Sequence, residues 1–164
     1  MSTRKIVQNL ELTWRFAAMS DASTVFSWRN DPEVIKFTRN ARPLEWENHV
    51  EWMTLRTADD YNFGLFLIFE VQKNPVATTR FEKIGESEGE ISILIDPRYQ
   101  GKGLGARMIH VTIEQIGLRF GEQELIACID KRNISSVKLF KKMGFLLQSN
   151  PLPELNYFEY RKQV

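Results

Sequence analysis

The sequence contains a single cysteine, Cys128, only two histidines, and almost no excess of one sign of charge. One cysteine excludes an internal disulfide framework and fits a reducing compartment, and its apolar setting LIACI favours a buried core thiol over a nucleophile. The net charge is +1, and lysine and arginine are spread along the chain rather than clustered. This composition argues against nucleic acid as a partner, and we expect no bound metal.

Long apolar runs are also missing. The longest, FGLFLIF at residues 63–69, is far too short to span a membrane. Residues 1–10 lack the apolar segment of a signal peptide, so we expect a cytoplasmic protein with no membrane partner. With 164 residues, of which 43% are apolar and 26% charged, the chain is expected to form one domain over residues 1–164.

Helical and strand patterns alternate irregularly along the chain, and Asn74-Pro75 is expected to form a turn between two strands. The pattern predicts an α/β domain with α+β layering, in which helices flank a mixed, mostly antiparallel sheet. Apolar residues at helical spacing predict helices over residues 22–30, 44–56, 103–120 and 133–143. Apolar runs bounded by turn residues predict strands over residues 11–17, 61–71, 75–84, 89–97, 124–130, 145–149 and 156–162.

Three glycines lie within five positions in the stretch DPRYQGKGLGARMI, residues 96–109, between a predicted strand and a long predicted helix. A helix N-terminus attracts anions, and glycines allow a phosphate to approach the backbone closely. The spacing fits no P-loop, because Gly103 follows Lys102, and no dinucleotide loop, because Met108 stands at the last glycine position. The glycines therefore indicate either a site for a phosphorylated ligand or a plain strand-to-helix turn.

Two motifs in the sequence resemble a known family and favour the first of these alternatives. Gln100, Gly103 and Gly105 resemble the Gln/Arg-x-x-Gly-x-Gly/Ala acyl-CoA loop of the GNAT acetyltransferase superfamily. The second motif is NISSVKLFKKMGF, with the family's spacing at Asn133, Ser136, Phe140, Gly144 and Phe145. The two motifs stand in the order found in that family, separated by one helix and one strand, and the resemblance extends from about Leu12 to the C-terminus.

The resemblance implies a GNAT fold and an acetyl-CoA-dependent N-acetyltransferase. Two splayed central strands would form the acetyl-CoA cleft, with backbone groups of one strand free to bind the pantetheine arm. The N–H groups of residues 100–105, the glycine loop, would hold the pyrophosphate at the helix N-terminus. The cofactor-binding residues implied in this way are Ile93, Leu94, Ile95, Gln100, Gly101, Lys102, Gly103, Leu104, Gly105, Asn133, Ser136 and Phe140.

The catalytic groups are less fully indicated. Glu90 begins the strand that leads into the glycine loop, at a position that the family often uses for the base that deprotonates the attacking amine. His49 is the competing base, because an unperturbed histidine titrates near neutral pH. Many family members have tyrosine at position 140 to protonate the thiolate, and Phe140 has no hydroxyl. The alternatives for this acid are water, Ser135, Ser136, Tyr157 and Tyr160.

The amine acceptor is expected to bind to residues in the N-terminal third of the chain. The segment WRNDPEVIKFTRNARPLEWENHVEWM, residues 28–53, resembles N-acetyltransferases that modify a UDP-linked amino sugar in pseudaminic-acid and related nonulosonate pathways. Arginine binds diphosphate, histidine adds a donor, and an aromatic surface can stack on uracil. We therefore predict that Arg29, His49, Thr79 and Arg80 bind a nucleotide-linked amino sugar.

Three alternatives remain open from the sequence. The chain could acetylate the N-terminal amine of a ribosomal protein, or it could acetylate a polyamine. A polyamine would favour an acidic pocket, whereas Arg29, Arg39 and Arg42 favour an anionic acceptor. A non-catalytic acyl-CoA-binding module is the third alternative, motivated by the missing tyrosine at position 140. A homodimer is compatible with each of these.

Overall fold

The computed structural model describes residues 11–148 and 156–164. Residues 1–10, where we expected no signal segment, and Ser149, at the end of a predicted strand, lie outside these ranges. The elements are β1 (Leu12–Phe16), α1 (Ala22–Arg29), α2 (Pro32–Ile35), α3 (Trp46–Arg56), β2 (Gly64–Val71), β3 (Asn74–Lys83), β4 (Glu88–Ile95), α4 (Leu104–Phe120), β5 (Glu124–Asp130), α5 (Ile134–Lys142), β6 (Leu146–Leu147) and β7 (Tyr157–Gln163). Within the described ranges, no helix is long and apolar enough to cross a membrane.

The strands form one sheet in the order β1-β2-β3-β4-β5-β7-β6. Neighbouring strands are antiparallel except for β4 and β5, which are parallel. The predicted mixed, mostly antiparallel sheet flanked by helices is therefore confirmed. The parallel pair covers only Glu88–Glu90 of β4, opposite Glu124–Ile126 of β5. Beyond this point the described parts of the two strands do not pair, and the sheet opens.

The two faces of the sheet pack against different helices. On β4, Ile91, Ile93 and Ile95 contact the apolar clusters that include α4 and α5. Leu94 instead packs against the cluster formed by α1 and α3. The predicted alternation of β4 is thus confirmed, as expected from the two-residue period of a strand. Glu90 and Ser92 share the face of Leu94 and lie on the side of α1 and α3.

The hairpin between β2 and β3 differs from the prediction. Asn74 and Pro75 belong to β3, and the turn consists of Gln72 and Lys73. Both turn residues have positive φ, 52° and 63°. A two-residue turn of this hand matches the right-handed twist of the flanking strands. The turn lacks the usual Asn-Gly signal, which is why the sequence pattern misplaced it.

Candidate functional site

A cleft of about 1340 Å³ opens where β4 and β5 separate. One wall is β4 from Glu90 to Ile95, which ends beside the glycine loop. The other walls come from β5, the first turn of α4, one side of α5, and the segment between α2 and α3. The splayed strands that the sequence predicted are therefore present. They leave backbone groups of β4 without a strand partner on the side of the cleft.

The glycine loop presents an open backbone to this cleft. Gly101 and Gly103 have φ of 71° and 78°, a region that side chains disfavour, and both line the cleft. A Cβ placed on either residue would meet no atom of the described chain within 4 Å. Gly103 directly precedes α4, whose first N–H groups have no partner inside the helix. The loop therefore fits an anionic group that approaches the backbone.

Gly105 has a different role from the other two glycines. A Cβ at this position would lie 2.6 Å from Cδ2 of Leu139 in α5. The glycine therefore allows α4 and α5 to approach each other beside the cleft. Its presence in the motif reflects helix packing as well as access for a ligand.

Most of the predicted cofactor-binding residues do line the cleft. Gln100 donates from Nε2 to the carbonyl of Ile95 at 3.1 Å, which ties the loop to the end of β4. Asn133 caps α5 by accepting from the N–H of Ser136 at 3.2 Å. The predicted residues on the cleft wall are Ile93, Leu94, Ile95, Gln100, Gly101, Gly103, Gly105, Asn133, Ser136 and Phe140.

The side chains of Lys102 and Leu104 do not contribute to the cleft wall, whereas the prediction for these two residues concerns their backbone N–H groups. Leu104 is 2% exposed and packs in the core under α4. Lys102 places its Nζ 4.8 Å from the ring centroid of Tyr99. The predicted contribution of these two residues to cofactor binding is therefore made through their backbone N–H groups.

Glu90 lies on the cleft wall at the last residue pair of β4 and β5. Both of its carboxylate oxygens accept from Nη2 of Arg39, at 3.1 and 3.0 Å. Cys128 of β5 lies half-buried beside this pair, and burial together with the charge of Glu90 raises the pKa of its thiol. Cys128 was predicted to be a core residue and instead lines the cleft.

The signal that could have placed Cys128 was the alternation of β5. Leu125, Ala127 and Ile129 pack into the core beneath α4 and α5. Because side chains alternate along a strand, Cys128 must point to the opposite face, which is also the face of Glu90. Sequence reasoning did not identify Arg39 as the neighbour of Glu90, because residues 39 and 90 are far apart in the chain.

On the other side of the cleft, the ring of Trp52 in α3 contacts three arginines. The guanidinium carbons of Arg29, Arg56 and Arg80 lie 4.5, 4.7 and 5.2 Å from its ring centroid. Arg56 is paired with Glu82, and Arg80 Nε lies 4.0 Å from the same carboxylate. Arg29 and Arg80, which are predicted to bind the acceptor, both line the cleft.

Arg29 is the least compensated cation of this group. In the described part of the chain it has no carboxylate partner. Burial, together with repulsion by Arg80 and Arg56, lowers the pKa of Arg29 to about 10. Burial also lowers the pKa of Arg80. An anion in the cleft would relieve the repulsion between these two guanidinium groups.

The structure places His49 away from the cleft, contrary to the prediction that it is a base or an acceptor ligand. His49 is 1% exposed, and its Nε2 donates to the carbonyl of Ala22 at 2.8 Å. Its ring stacks on Trp52 with an interplanar angle of 22°. Burial lowers the pKa of His49, so the buried ring is neutral at physiological pH. The His49 ring therefore packs against Trp52 and does not line the cleft.

Thr79 is likewise buried on the wrong face for acceptor binding. It is 1% exposed, and its hydroxyl lies 2.6 Å from that of Thr112 in α4. Its neighbours Thr78 and Arg80 face the cleft instead. The period of the strand decides this outcome, and the prediction for Thr79 was wrong by one position.

The candidate proton donors also separate by position. Phe140 and Tyr160 are 2% and 1% exposed and belong to the main core, so Tyr160 is removed from the candidates. Tyr157 lines the cleft and donates its hydroxyl to the carbonyl of residue 37 at 3.0 Å. Burial raises the pKa of Tyr157, which keeps its proton in place. Ser135 and Ser136 also line the cleft at the start of α5.

Among residues 11–148 and 156–164, no group of three or more histidine, cysteine, aspartate or glutamate side chains could hold a metal ion. The family model of the acetyltransferase (GNAT) domain matches residues 11–146. The chain belongs to the GNAT acetyltransferase family. Acetyl-CoA is accordingly its co-substrate, and the open glycine loop and separated strands fit that molecule.

Individual GNAT relatives are distant in sequence. An uncharacterized protein of Methanocaldococcus jannaschii is 27% identical over 145 residues, which cover 87% of this chain but only 29% of that protein. The chain thus spans less than a third of the length of this relative. The L-methionine sulfoximine/L-methionine sulfone acetyltransferase of Salmonella typhimurium is 26% identical over 144 residues, covering 82% of this chain and 80% of that enzyme.

The GNAT fold is shared with solved structures. The spermidine N-acetyltransferase of Vibrio cholerae, solved in complex with CoA and spermine, superposes with a TM-score of 0.79. The two chains are 19% identical, and the match covers 93% of this chain and 94% of that one. At this identity the likeness establishes the fold, and the acceptor has to be argued from the cleft itself.

Proposed function

We propose that this GNAT domain transfers an acetyl group from acetyl-CoA to the primary amine of a small anionic acceptor, a UDP-linked amino sugar. The observation that carries the proposal is the position of Arg29 and Arg80 on the cleft wall, stacked on Trp52, with Arg29 lacking a carboxylate partner in the described chain. Guanidinium groups bind phosphates and carboxylates through directional hydrogen bonds. An acceptor with an anionic group therefore complements this wall.

On the cofactor side, the N–H groups from Gln100 to Gly105 would hold the pyrophosphate at the start of α4. Backbone groups of β4 between Ile93 and Ile95 that lack a strand partner on the side of the cleft would bind the pantetheine amides, and Asn133 and Ser136 would line the opposite wall. When bound, acetyl-CoA supplies the acetyl group as a reactive thioester.

Glu90 is the proposed base. Its carboxylate faces the cleft between the cofactor wall and the arginines of the acceptor side, where it can accept a proton from the ammonium group of the acceptor. Cleft water, Tyr157, Ser135 and Ser136 remain the candidate donors toward the leaving thiolate. Because His49 is buried against a backbone carbonyl, it is not part of this proposal.

An α-amino acid is a second candidate acceptor. The relative from Salmonella typhimurium is named for L-methionine sulfoximine and L-methionine sulfone, which carry a carboxylate next to the amine. Such a carboxylate would suit Arg29 or Arg80 as well as a diphosphate does. Polyamines fit less well, because a cationic acceptor would meet the uncompensated charge of Arg29.

A single assay separates these acceptors. CoA release from acetyl-CoA is measured with a UDP-linked amino sugar, L-methionine sulfone, spermidine and a peptide with a free N-terminus. The proposal expects the UDP-linked amino sugar to give the highest kcat/KM. A preference for spermidine or the peptide contradicts the anionic acceptor. CoA binding without turnover of any amine would identify a non-catalytic acyl-CoA-binding module.

Replacing Arg29 by alanine tests the acceptor wall. The change is expected to cost about 1.5–3 kcal/mol of acceptor binding, the usual range for hydrogen bonds to charged groups. This corresponds to a roughly ten- to hundredfold rise in the acceptor KM, with nearly constant KM for acetyl-CoA. Steady-state kinetics measure both values, and added salt should weaken acceptor binding to the wild type.

Arg56→Ala is the matched control for this variant. Arg56 stacks on the same ring of Trp52 but is paired with Glu82 and does not line the cleft. Its loss should lower thermal stability and leave the acceptor KM close to that of the wild type. If the two substitutions change the acceptor KM equally, Arg29 serves only to pack against the ring of Trp52.

A further inference from the structure

In the structure, Arg39 forms an ion pair with Glu90, the proposed base. It lies between α2 and α3 and reaches across the cleft to Glu90, 51 positions later in the chain. The side chain of Arg39 is 61% exposed and that of Glu90 is 32% exposed. Ion pairs at such exposed positions contribute little to stability and are readily exchanged. The contact therefore holds the carboxylate without making the arrangement permanent.

The backbone that carries Arg39 is fixed at both ends. At one end, Arg132 and Tyr157 donate to the carbonyls of residues 36 and 37, at 2.8 and 3.0 Å. At the other end, the amide of Asn30 bonds the N–H and the carbonyl of Leu44, at 2.7 and 3.1 Å. The side chain of Arg39 thus starts from a defined position above the cleft, and its own rotation can carry it to another anion.

The geometry of the pair leaves capacity for a second anion. A single nitrogen, Nη2, bridges both oxygens of Glu90, so the parallel two-nitrogen arrangement typical of strong arginine–carboxylate pairs is not formed. Within the described residues, the neighbours that act on Arg39 are Glu90 and the Cys128 thiol. An anionic group entering the cleft could therefore engage the free N–H groups of Arg39.

We propose that Arg39 is a specificity-determining residue whose pairing with Glu90 is relieved when an anionic acceptor binds. Without such an acceptor, Arg39 neutralises the carboxylate that must accept the proton. The anionic group of the acceptor takes over Arg39, and Glu90 becomes free to face the ammonium group. The proton then passes from the ammonium nitrogen to a carboxylate oxygen of Glu90, and the amine lone pair becomes available for attack.

This inference rests on the proposed function and adds a reason for acceptor selection. Arg29 and Arg80 would favour anionic acceptors by binding alone. Arg39 would favour them in addition by coupling binding to the availability of the base. An amine without an anionic group would bind weakly and would also meet a base that is already occupied.

The test compares Arg39→Gln with the wild type on matched acceptors. One pair is an α-amino acid, L-methionine sulfone, and its carboxamide, and the other is a UDP-linked amino sugar and the free amino sugar. With the anionic member, kcat/KM should fall by about tenfold or more, because hydrogen bonds to the anion are lost. With the member that lacks the anionic group, kcat/KM should rise by about two- to fivefold, the effect of removing one exposed ion pair from the base.

Arg39→Lys keeps the positive charge and should restore part of the preference for the anionic member. Lys36→Gln is the control, because it also removes a cation from this segment although Lys36 itself does not line the cleft. The change breaks the exposed pair with Glu33 and the contact of Nζ with the ring of Phe37, and it leaves Arg39 and Glu90 in place. Its selectivity should match that of the wild type. Melting temperatures, measured for all variants, separate loss of fold from loss of selectivity.

The rise with the acceptor that lacks an anionic group is the decisive result, since a merely structural role of Arg39 would slow both members alike. If kcat/KM for this acceptor stays the same or falls, the inference is overturned, while a wild type that acetylates anionic amines leaves the proposed function standing. If the wild type acetylates no amine, the proposed function fails and this inference fails with it.

Discussion

Replacing Gly103 by valine is expected to weaken acetyl-CoA binding by about a hundredfold or more while the protein stays folded. The loss corresponds to two hydrogen bonds from backbone N–H groups to a charged phosphate. Gly103 lines the cleft with a φ of 78°, and a Cβ at this position would project into open space. A valine side chain would fill the space where the pyrophosphate meets the N-terminus of α4. Calorimetric titration with CoA measures the change directly.

Gly121→Val is the matched control for this variant. Gly121 has a φ of 70°, lies at the opposite end of α4, and would also place its Cβ in open space. Each substitution places a side chain at a positive φ, with ψ of 11° at Gly103 and −153° at Gly121, at a cost of about 1–3 kcal/mol in folding stability. Both variants should therefore melt below the wild type, and only Gly103→Val should lose CoA affinity. Unchanged affinity in Gly103→Val would show that the glycine loop does not hold the cofactor.

Replacing Glu90 by glutamine is expected to lower kcat by about a hundredfold to ten-thousandfold, the usual contribution of a general base. Glutamine keeps the size of the side chain and removes its ability to accept the proton. The KM for acetyl-CoA should change little, because the interaction is needed only as the amine reacts. The low-pH limb of the rate profile should also change in the variant.

Glu88→Gln provides the comparison on the same strand. Glu88 lies two residues before Glu90 on the same face of β4, contacts Arg161 at 3.5 Å and does not line the cleft. Its substitution should leave kcat and the pH profile close to those of the wild type. If Glu90→Gln behaves in the same way, the proton is taken up by water and Glu90 serves only as the partner of Arg39.

Much of the fold follows from local patterns. The period of apolar residues predicted α4 and the alternation of β4, and both are confirmed because one face of each element packs into a core. The turn at Gln72-Lys73 was missed. Its positive φ values are imposed by the pairing of β2 with β3 rather than by residues that favour such a conformation.

The candidate site divides in the same way. The glycine loop was recognisable because its three glycines and its position before α4 are all local features of the chain. The acceptor side was only partly recognisable. Arg29 and Arg80 were expected there and line the cleft, whereas His49 and Thr79 were expected there and are buried. A residue type indicates what a side chain can bind, but its exposure depends on what packs over it.

By itself, the sequence determined the GNAT family, the order of most helices and strands, and the place where a phosphorylated cofactor meets the backbone, because these depend on residues close together in the chain. The tertiary structure alone decided that Arg39 covers Glu90, that Cys128 faces the cleft, and that Arg29 has no carboxylate partner among the described residues. Each of these depends on elements distant in sequence that meet only when β4 pairs with β5 and α3 packs against the sheet. Charge compensation and burial are properties of that packing, and no local pattern encodes them.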